Sequence, residues 1–345
     1  MPVYELWGEK ANIEIPEDIF PDKEDLAKRD ELMYNPEHGW FESTYESKKL
    51  HYRRNLPKGK PKAIVIWMHG ILGQSGFGMQ IKSQGNRFTD HALRVREMTK
   101  AGYAVYAHDQ LGHGFSEGRR MYIPNGKWTI NRDDYVKFAR FSAALHDAGT
   151  PVILSGDSYG GCLTLHAAKV LQDDPQDVNM KGILLNCPAI HGDLPPLLVK
   201  WFLQYGLAPW FPTRTPFFMP HPITAERVWK EDEPRAYFCD PTEMRGLSEG
   251  GVKFCLGTAL GLLLALESVQ ADVIPEFVLP FHCNHGTKDE GVPVSGSEFL
   301  VEKSKTPKDM QFFNKIEGGY HALMSEKDAP KYLESEIKFI EKILK

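Results

Sequence analysis

The segment Pro151-Val152-Ile153-Leu154-Ser155-Gly156-Asp157-Ser158-Tyr159-Gly160-Gly161 decides the fold. Its short apolar run has the character of a buried strand, and a helix-like stretch follows from Cys162 to Leu171. The glycines on both sides of Ser158 permit a turn that is too tight for side chains at its flanks. A serine in a strand–turn–helix of this kind projects its hydroxyl beyond the edge of a sheet. The pattern therefore predicts that Ser158 is a nucleophile.

A second stretch, Gly114-Phe115-Ser116-Glu117-Gly118, matches the same Gly-x-Ser-x-Gly rule. Gln110-Leu111-Gly112-His113 separates it from the strand-like run before it, so its serine does not leave a strand directly. Pro124 and Gly126, which are loop signals, follow it where a helix would be needed. We interpret Ser116 as an ordinary loop serine.

Strand and helix patterns alternate on both sides of the Ser158 segment. The run Ala63-Ile64-Val65-Ile66-Trp67-Met68 is apolar throughout, as in a strand that is buried on both faces. Further strands are predicted at 103–107, 182–185, 281–284 and 311–313, and helices at 87–100, 131–146, 297–303 and near the C-terminus. The last helix carries an apolar stripe of Leu333, Ile337, Ile340 and Leu344.

The alternation stops between about 188 and 279, where no strand is predicted, and then resumes. This organisation predicts an α/β fold of the α/β-hydrolase class, with a mostly parallel central sheet, helices on both faces and an inserted helical cap. We divide the chain into an N-terminal extension (1–39), a core (40–188 and 280–345) and the cap (189–279).

Composition excludes several classes of function. The chain has 345 residues, with 41 Lys and Arg against 46 Asp and Glu, so its net charge of −5 offers no basic field for nucleic acid. The five cysteines form no CxxC pair, which argues against a zinc ribbon or a disulfide framework. The N-terminus lacks the pattern of a signal peptide. We therefore expect a cytoplasmic protein without a cofactor.

A serine hydroxyl needs a base, and the base needs an orienting carboxylate, in the chain order serine, acid, histidine. Asp289 follows the predicted strand near 281–284 and is the candidate acid, with Glu290 as its neighbouring competitor. His321 follows the last strand in Gly318-Gly319-Tyr320-His321 and is the candidate base. The pair His282 and His285 does not indicate a metal, because a spacing of three on a strand points two rings to opposite faces.

The negative oxygen of the reaction intermediate needs two preorganised N–H groups. The residue after the nucleophile, Tyr159, supplies one of them. The loop after Met68-His69-Gly70-Ile71 supplies the other, and Ile71 is its expected donor. We interpret His69 as a residue that braces this loop.

Six segments in order extend the match beyond single motifs. They are Met68-His69-Gly70, His108-Asp109-Gln110-Leu111-Gly112-His113-Gly114-Phe115-Ser116-Glu117-Gly118, Gly156-Asp157-Ser158-Tyr159-Gly160-Gly161, Val252-Lys253-Phe254-Cys255-Leu256-Gly257, His285-Gly286-Thr287-Lys288-Asp289 and Tyr320-His321. Together they resemble the monoacylglycerol lipase and lysophospholipase group of α/β-hydrolases, the serine aminopeptidase S33-like group. The resemblance implies Ser158, Asp289 and His321 as the triad and Ile71 and Tyr159 as oxyanion donors. Asp157 and Tyr159 depart from it, since such lipases often have His and Met there.

The cap is rich in large apolar residues, and we expect part of it to form an acyl pocket. The expected pocket residues are Leu198, Trp201, Phe202 and Leu262. Tryptophan beside Lys200 and Arg214 also suits a helix at a membrane surface, which predicts a peripheral membrane contact.

The leading hypothesis is a serine esterase or lipase that cleaves a lipid ester such as a monoacylglycerol. One alternative is an aminopeptidase or an acyl thioesterase on the same scaffold. A peptidase needs an acidic patch for the substrate amine, and the cap offers Glu226, Glu231, Asp232 and Glu233. A further alternative is a ligand receptor that keeps the fold with little turnover. Epoxide hydrolase and dehalogenase chemistry would need a carboxylate at position 158.

Overall fold

A computed structural model of the chain describes residue 27 and residues 30–176, 178–192, 196–217, 223–239 and 253–345. The strands in these ranges are β1 (Glu37–Glu42), β2 (Lys49–Asn55), β3 (Ala63–Met68), β4 (Gln80–Ile81), β5 (Arg87–Phe88), β6 (Tyr103–His108), β7 (Pro151–Asp157), β8 (Asn179–Asn186), β9 (Phe281–Gly286) and β10 (Gln311–Ile316).

The helices pack around and between these strands. They are α1 (Asp90–Lys100), α2 (Thr129–Ala144), α3 (Tyr159–Asp173), α4 (Leu197–Trp201), α5 (Ala225–Val228), α6 (Asp232–Cys239), α7 (Leu256–Ser268), α8 (Ser295–Lys303) and α9 (Ala329–Ile343). Wider π-helical turns continue α4 through Phe202–Leu207 and α7 through Val269–Val273.

Eight strands form one sheet in the order β1-β2-β6-β3-β7-β8-β9-β10, and β4 pairs with β5 separately. The β1–β2 and β2–β6 contacts are antiparallel. The five contacts from β6 through β10 are parallel. The carboxyl ends of β7, β8, β9 and β10 therefore meet at one edge, where ligands bind in open α/β sheets. The predicted mostly parallel α/β sheet is confirmed.

The central strand β3 contributes side chains to both faces of the sheet, and all six of its residues are buried. Ile64, Ile66 and Met68 join the larger apolar cluster, which contains side chains of α2 and α3. Ala63 and Val65 join a second cluster with side chains of α1 and α9. Alternate residues of a strand point to opposite faces, so a continuous apolar run is what a two-sided burial requires.

The observed strand and helix bounds lie within three residues of the predicted ones, and the differences at two places alter the description of the fold. The helix predicted from Arg87 begins at Asp90, because Arg87 and Phe88 pair with Ile81 and Gln80 in a short hairpin. At the other end of the chain, most of the predicted N-terminal extension lies outside the described residues. Strand β1 already begins at Glu37, within the predicted extension.

The described residues between β8 and β9 are mainly helical. The stretch Leu256–Glu276 is long and apolar enough to cross a membrane by length and composition, but half of its most apolar window is buried inside the protein. Ala265 and Val269 of this stretch belong to the main apolar cluster. We therefore describe it as a helix that packs on the core.

Candidate active site

Ser158 occupies the sharp turn between β7 and α3, with φ 56° and ψ −125°. A left-handed φ is strained for a serine and persists only where the surroundings enforce it. The surroundings here are very close: a Cβ on Gly160 would lie 2.2 Å from the carbonyl oxygen of Met68, and one on Gly156 would lie 2.3 Å from the carbonyl oxygen of Gly160. Only glycine fits at these two positions, which explains the motif that the sequence shows.

The loop after β9 and the loop after β10 are joined by their backbones. The N–H of Thr287 donates to the carbonyl of Ile316, and the N–H of Lys288 donates to that of Gly319, both at 2.9 Å. A Cβ on Gly286 would lie 2.3 Å from the carbonyl oxygen of Gly319, so the loops approach as closely as backbone allows. This contact brings residues 289 and 321 together.

His321 donates from Nδ1 to Oδ2 of Asp289 at 2.6 Å, and the Asp289 carboxylate is buried. Oδ1 of Asp289 accepts the N–H groups of Gly291 and Val292 at 2.9 and 2.8 Å. The competitor Glu290 is 70% exposed and lies 3.8 Å from Arg227. Among the two candidate acids, Asp289 is therefore the one that contacts His321.

Each member of this pair shifts the pKa of the other. Burial alone would raise the pKa of the Asp289 carboxyl, but His321 and His285 outweigh it and hold that pKa well below its ordinary value. Burial alone would lower the pKa of His321, but the charge of Asp289 and the hydrogen bond to it raise that pKa above its ordinary value. Asp289 thus stabilises the imidazolium form, as a general base requires in the transition state.

Ser158 and His321 line one cavity, together with Ile71 and Tyr159. Tyr159 is the first residue of α3, where N–H groups have no intrahelical acceptor. The backbone N–H groups of Ile71 and Tyr159 have no hydrogen-bond acceptor among the described residues. Both N–H groups are therefore available to a ligand oxygen in the cavity.

His69 braces the loop that carries Ile71. Its Nδ1 donates to the carbonyl of Gly70 at 2.7 Å, and its Nε2 accepts the N–H of Gln110 at 3.1 Å. The two contacts use both ring nitrogens, so this histidine fixes the loop and has no nitrogen left for acid–base work.

The charge of Asp157, beside the nucleophile, is compensated. Its Oδ1 lies 3.2 Å from Nη2 of Arg94, whose side chain is fully buried, and its Oδ2 accepts the indole N–H of Trp67 at 3.0 Å. The bulk of Tyr159 is placed in the core, where its hydroxyl accepts a hydrogen bond from Asn131. Sequence reasoning missed Arg94, because a lone arginine on a helix face usually indicates solvent.

The cavity has a volume of about 890 Å³ and a mainly apolar wall. Two of the four expected pocket residues, Phe202 and Leu262, belong to that wall. Leu198 and Trp201 do not: they are 83% and 62% exposed and lie on the outer surface of the cap. The expectation is corrected for these two, because α4 is a single short turn whose outer side bears them.

The acidic patch considered for a peptidase is absent from the described cavity wall. Glu231 instead pairs with Arg87 at 3.1 Å, and Asp232 lies 3.4 Å from Arg235. Glu233 accepts a hydrogen bond from Ser83. The Glu231 and Glu233 contacts join the cap to the core, the Asp232–Arg235 pair lies within the cap, and the carboxylates in the described cavity wall are those of Asp90 and Asp157 instead.

Ser116, in the second Gly-x-Ser-x-Gly match, is fully buried. Its hydroxyl donates to the carbonyl of Asp109 at 2.6 Å and accepts the N–H of His51 at 2.9 Å. It lies outside the cavity wall and is fully engaged, as expected for a structural loop serine.

One group of side chains has the donor types that metals use. Ligand atoms of Cys187, His285 and Asp289 lie within 4.8 Å of one another, and all three residues are buried. Each already has a hydrogen-bond partner: Cys187 donates to the carbonyl of Tyr320, and His285 contacts Ser297 and Val292. We assign no metal to them. The contact of His285 with Asp289 is a feature that sequence reasoning missed.

The cap also reaches the loop that carries the base. The N–H of Ala322, next to His321, donates to the carbonyl of Val228 in α5 at 2.9 Å. Lys230 donates to the carbonyl of Gly318 at 3.1 Å. The position of the His321 loop therefore depends on α5 as well as on the core.

A strained serine that ends the central β7, with a histidine–aspartate pair on the loops after β9 and β10, defines an α/β-hydrolase that uses serine. The model of the family described as serine aminopeptidase, S33, matches residues 59–328. The chain belongs to this family.

Comparisons with individual proteins agree with this assignment. Monoglyceride lipase of Rattus norvegicus is 27% identical over 284 residues, covering 78% of this chain and 78% of the relative. Monoacylglycerol lipase of Mycolicibacterium smegmatis is 25% identical over 255 residues, covering 72% and 77%. A solved structure of a soluble variant of monoglyceride lipase from Saccharomyces cerevisiae, with a substrate analog, shares the fold. Its TM-score is 0.64 at 16% identity, covering 89% of this chain and 96% of that one.

Replacing the nucleophile tests the assignment of Ser158. Ser158→Ala should lower ester hydrolysis by about 10⁴-fold or more, because no other group can form the acyl-enzyme. A fluorophosphonate should label the native protein on the peptide that contains residue 158, as read by mass spectrometry, and should leave the variant unlabelled.

Ser116→Ala is the matched control. It should keep the activity per folded molecule and lower the free energy of unfolding by about 1–3 kcal/mol, because two buried partners lose their hydrogen bonds. Loss of labelling in Ser116→Ala with retention in Ser158→Ala would reverse the assignment.

The pH dependence follows from the raised pKa of His321. The base must be neutral to accept the serine proton, so kcat/KM should fall as pH decreases through a midpoint above the ordinary histidine pKa of about 6.5. Asp289→Asn removes the charge that raises this pKa, so the midpoint should move to lower pH and the plateau should fall by about 10³–10⁴-fold. A profile that stays flat from about pH 5 to 8 would contradict His321 as the base.

Proposed function

We propose that this protein is a lipase that hydrolyses carboxylic esters of lipids, above all monoacylglycerols, through an acyl-enzyme on Ser158. The observation that carries the proposal is the large apolar cavity whose wall contains Ser158, His321 and the free N–H groups of Ile71 and Tyr159. Its volume lies within the ordinary range for small-molecule sites, about 300–1,000 Å³. The relatives named above act on monoacylglycerols according to their names.

In the first half of the reaction, Nε2 of His321 accepts the proton of Ser158 as the hydroxyl oxygen attacks the ester carbonyl. The carbonyl oxygen becomes negative and accepts hydrogen bonds from the N–H groups of Ile71 and Tyr159. Such donors contribute about 3–4 kcal/mol each where they have been removed from other enzymes. His321 then gives its proton to the departing alcohol, and the acyl group remains on Ser158.

In the second half, water attacks the acyl carbon while His321 accepts a proton from it. The intermediate uses the same two N–H groups, and as it collapses His321 returns the proton to the departing Ser158 oxygen, which releases the free acid and restores the neutral base. Asp289 stays ionised throughout and stabilises the imidazolium at both stages, in keeping with its lowered pKa.

The cap side of the cavity suits an acyl chain. Its wall there is aliphatic and aromatic and comes from α4, the π-helical turn after it and α7; the residues are Val199, Phe202, Leu203, Leu207, Leu262 and Leu266. Burying an alkyl chain against such a wall stabilises the complex by about 0.8 kcal/mol per methylene group. This favours long acyl chains over short ones.

The outer surface of the same cap segment supports a peripheral membrane contact. Leu198, Trp201, Trp210 and Phe217 are all exposed there, and Phe217 is 90% exposed. An exposed apolar surface of this kind is typical of lipid or protein contacts. Phe202 is also half exposed while it lines the cavity, so the surface continues into the cavity. Lys200 pairs with Glu267, so the apolar residues and not this lysine support the contact.

A substrate panel tests the proposed function. Long-chain monoacylglycerols should be hydrolysed with the highest kcat/KM, ahead of acyl thioesters, and aminoacyl anilides should not be cleaved, because the two carboxylates in the described cavity wall, Asp90 and Asp157, already bind Ser325 and Arg94. Preferential cleavage of aminoacyl anilides would instead favour a peptidase. Fluorophosphonate labelling without turnover of any ester would favour the receptor alternative.

Two substitutions locate the acyl chain. Leu262→Trp fills the cavity and should lower activity on long-chain esters by about tenfold or more, an amount typical of overpacking by 1–3 kcal/mol, while short-chain esters are spared. Leu198→Trp, on the outer surface of the same cap, is the matched control and should change neither. Equal losses on short and long chains in Leu262→Trp would contradict this placement.

Flotation with anionic phospholipid vesicles tests the membrane contact. Replacing both Trp201 and Trp210 by Ser should lower vesicle binding by about tenfold or more, because each apolar side chain contributes about 1.5–3 kcal/mol on burial. Hydrolysis of a soluble short-chain ester should not change.

Trp40→Ser is the control for this experiment, because Trp40 is exposed on β1 and lies outside the cap. It should leave flotation as in the native protein. Equal flotation of the native protein and the double variant would refute the contact.

A further inference from the structure

We propose that His285, a residue of β9 outside the proposed triad, is a positioning residue that acts through Asp289 by placing its N–H dipole beside the carboxylate oxygen that binds His321. The inference rests on Asp289 and His321 acting as in the proposed function. It assigns a role to a buried polar side chain that the mechanism itself does not use.

The hydrogen bonds of His285 fix which ring nitrogen carries the proton. Nε2 lies 2.9 Å from the carbonyl oxygen of Val292, and a carbonyl can only accept. Nε2 is therefore the donor. The same Nε2 lies 3.4 Å from Oδ2 of Asp289, so the positive end of the N–H dipole lies beside the carboxylate while its hydrogen bond goes to the carbonyl.

The other ring nitrogen of His285, Nδ1, has a hydrogen-bond partner of its own. In the neutral ring Nδ1 is an acceptor, and it accepts the hydroxyl of Ser297 at 2.7 Å. The Ser297 oxygen in turn accepts the thiol of Cys283 at 3.2 Å. Cys283 and His285 point to the same face because they are two residues apart on β9. All three residues are buried, so this chain of hydrogen bonds has no competing water.

Val292 closes the arrangement into a ring. Its carbonyl accepts from His285, while its N–H donates to Oδ1 of Asp289 at 2.8 Å. Oδ2 of Asp289 receives His321 at 2.6 Å and has His285 at 3.4 Å. Both carboxylate oxygens are therefore fixed, and Oδ1 remains held by two N–H groups even when His285 is altered.

The N–H dipole beside Oδ2 has an electrostatic consequence at His321. It attracts part of the negative charge on Oδ2 and so limits how strongly Asp289 stabilises the protonated form of His321. The other titratable groups around this pair are Asp157, which faces His321, and Cys187, which faces Asp289. Burial keeps the thiol of Cys187 uncharged by raising its pKa, and Arg94 compensates Asp157.

Removing this donor should therefore make His321 hold its proton more strongly. His285→Leu should shift the midpoint of the pH profile to higher pH by about half a unit. This corresponds to about a threefold loss of rate at pH 6 relative to the plateau of the same variant. His285→Gln can place an amide N–H near Nε2 and should keep the native midpoint. A role in packing alone would lower the plateau or the stability and would leave the midpoint in place.

The measured quantity is the pH dependence of the rate at which a fluorophosphonate labels Ser158 in the full-length protein. Ser297→Ala is the matched control: it disturbs the same pocket but leaves the Nε2–H bound to the Val292 carbonyl and beside Oδ2, so its midpoint should equal that of the native protein. If His285→Leu does not fold, His285→Asn replaces it, because the shorter amide does not reach Oδ2.

The outcomes separate this inference from the proposed function. If the native protein and His285→Leu have the same pH midpoint, the inference is overturned and the proposed function stays intact. Equal shifts in Ser297→Ala and His285→Leu would also overturn it, since they would indicate a packing effect. Failure of the native protein to react with the probe would refute the proposed function and this inference with it.

Discussion

The hydrogen bond between Nδ1 of His321 and Oδ2 of Asp289 is the interaction on which the site depends, and it joins two loops that are 32 residues apart in the chain. It forms because β9 and β10 are parallel neighbours whose carboxyl ends open at the same edge of the sheet. Gly286 and Gly319 let the backbones of these loops touch. Ser158 comes to the same edge directly after β7, and the close packing of Gly160 against β3 fixes its turn. The sheet thus supplies the geometry, and glycine supplies the short distances.

Charge around the nucleophile is almost entirely compensated. Arg94 neutralises Asp157, and the imidazole and N–H groups around Asp289 stabilise its carboxylate. Among the described residues, no acceptor binds the backbone N–H groups of Ile71 and Tyr159, and both residues line the cavity with Ser158. An apolar cavity with compensated charges strengthens any hydrogen bond formed inside it, because the local dielectric is low. This arrangement supports the proposed role of the two N–H groups as donors to an oxygen that becomes negative during the reaction.

The parts of the site that depend on local backbone geometry could be predicted from the sequence. A turn with no room for side chains at its flanks requires glycine there, so the sequence predicts a strained serine at position 158. The apolar run of β3 and the loops that carry Asp289 and His321 could also be predicted. The orientation of cap residues could not be predicted: Leu198 and Phe202 lie one turn apart in an apolar stretch, yet one faces outward and the other lines the cavity. The pairing of Glu231 with Arg87, and of Arg94 with Asp157, joins distant segments. Such contacts leave no periodic signal in either partner.

The contact of His285 with Asp289 is another one that the sequence pattern does not predict. The spacing of His285 from His282 concerns opposite faces of a strand, but the spacing that brings it to the site is the one to Asp289, across the turn that ends β9. A strand periodicity does not extend through such a turn. Only the folded loop shows that the ring of residue 285 and the carboxylate of residue 289 meet.

The hydrogen bond from the N–H of Ala322 to the carbonyl of Val228 joins the cap to the loop that carries His321. If α5 moved away, the N–H of Ala322 would lose its acceptor. The backbone next to His321 would then be less firmly held. Together with the contact from Lys230 to Gly318, this amide makes the backbone around His321 depend on the cap. A different cap would need an acceptor for the same N–H if this loop is to keep its contact.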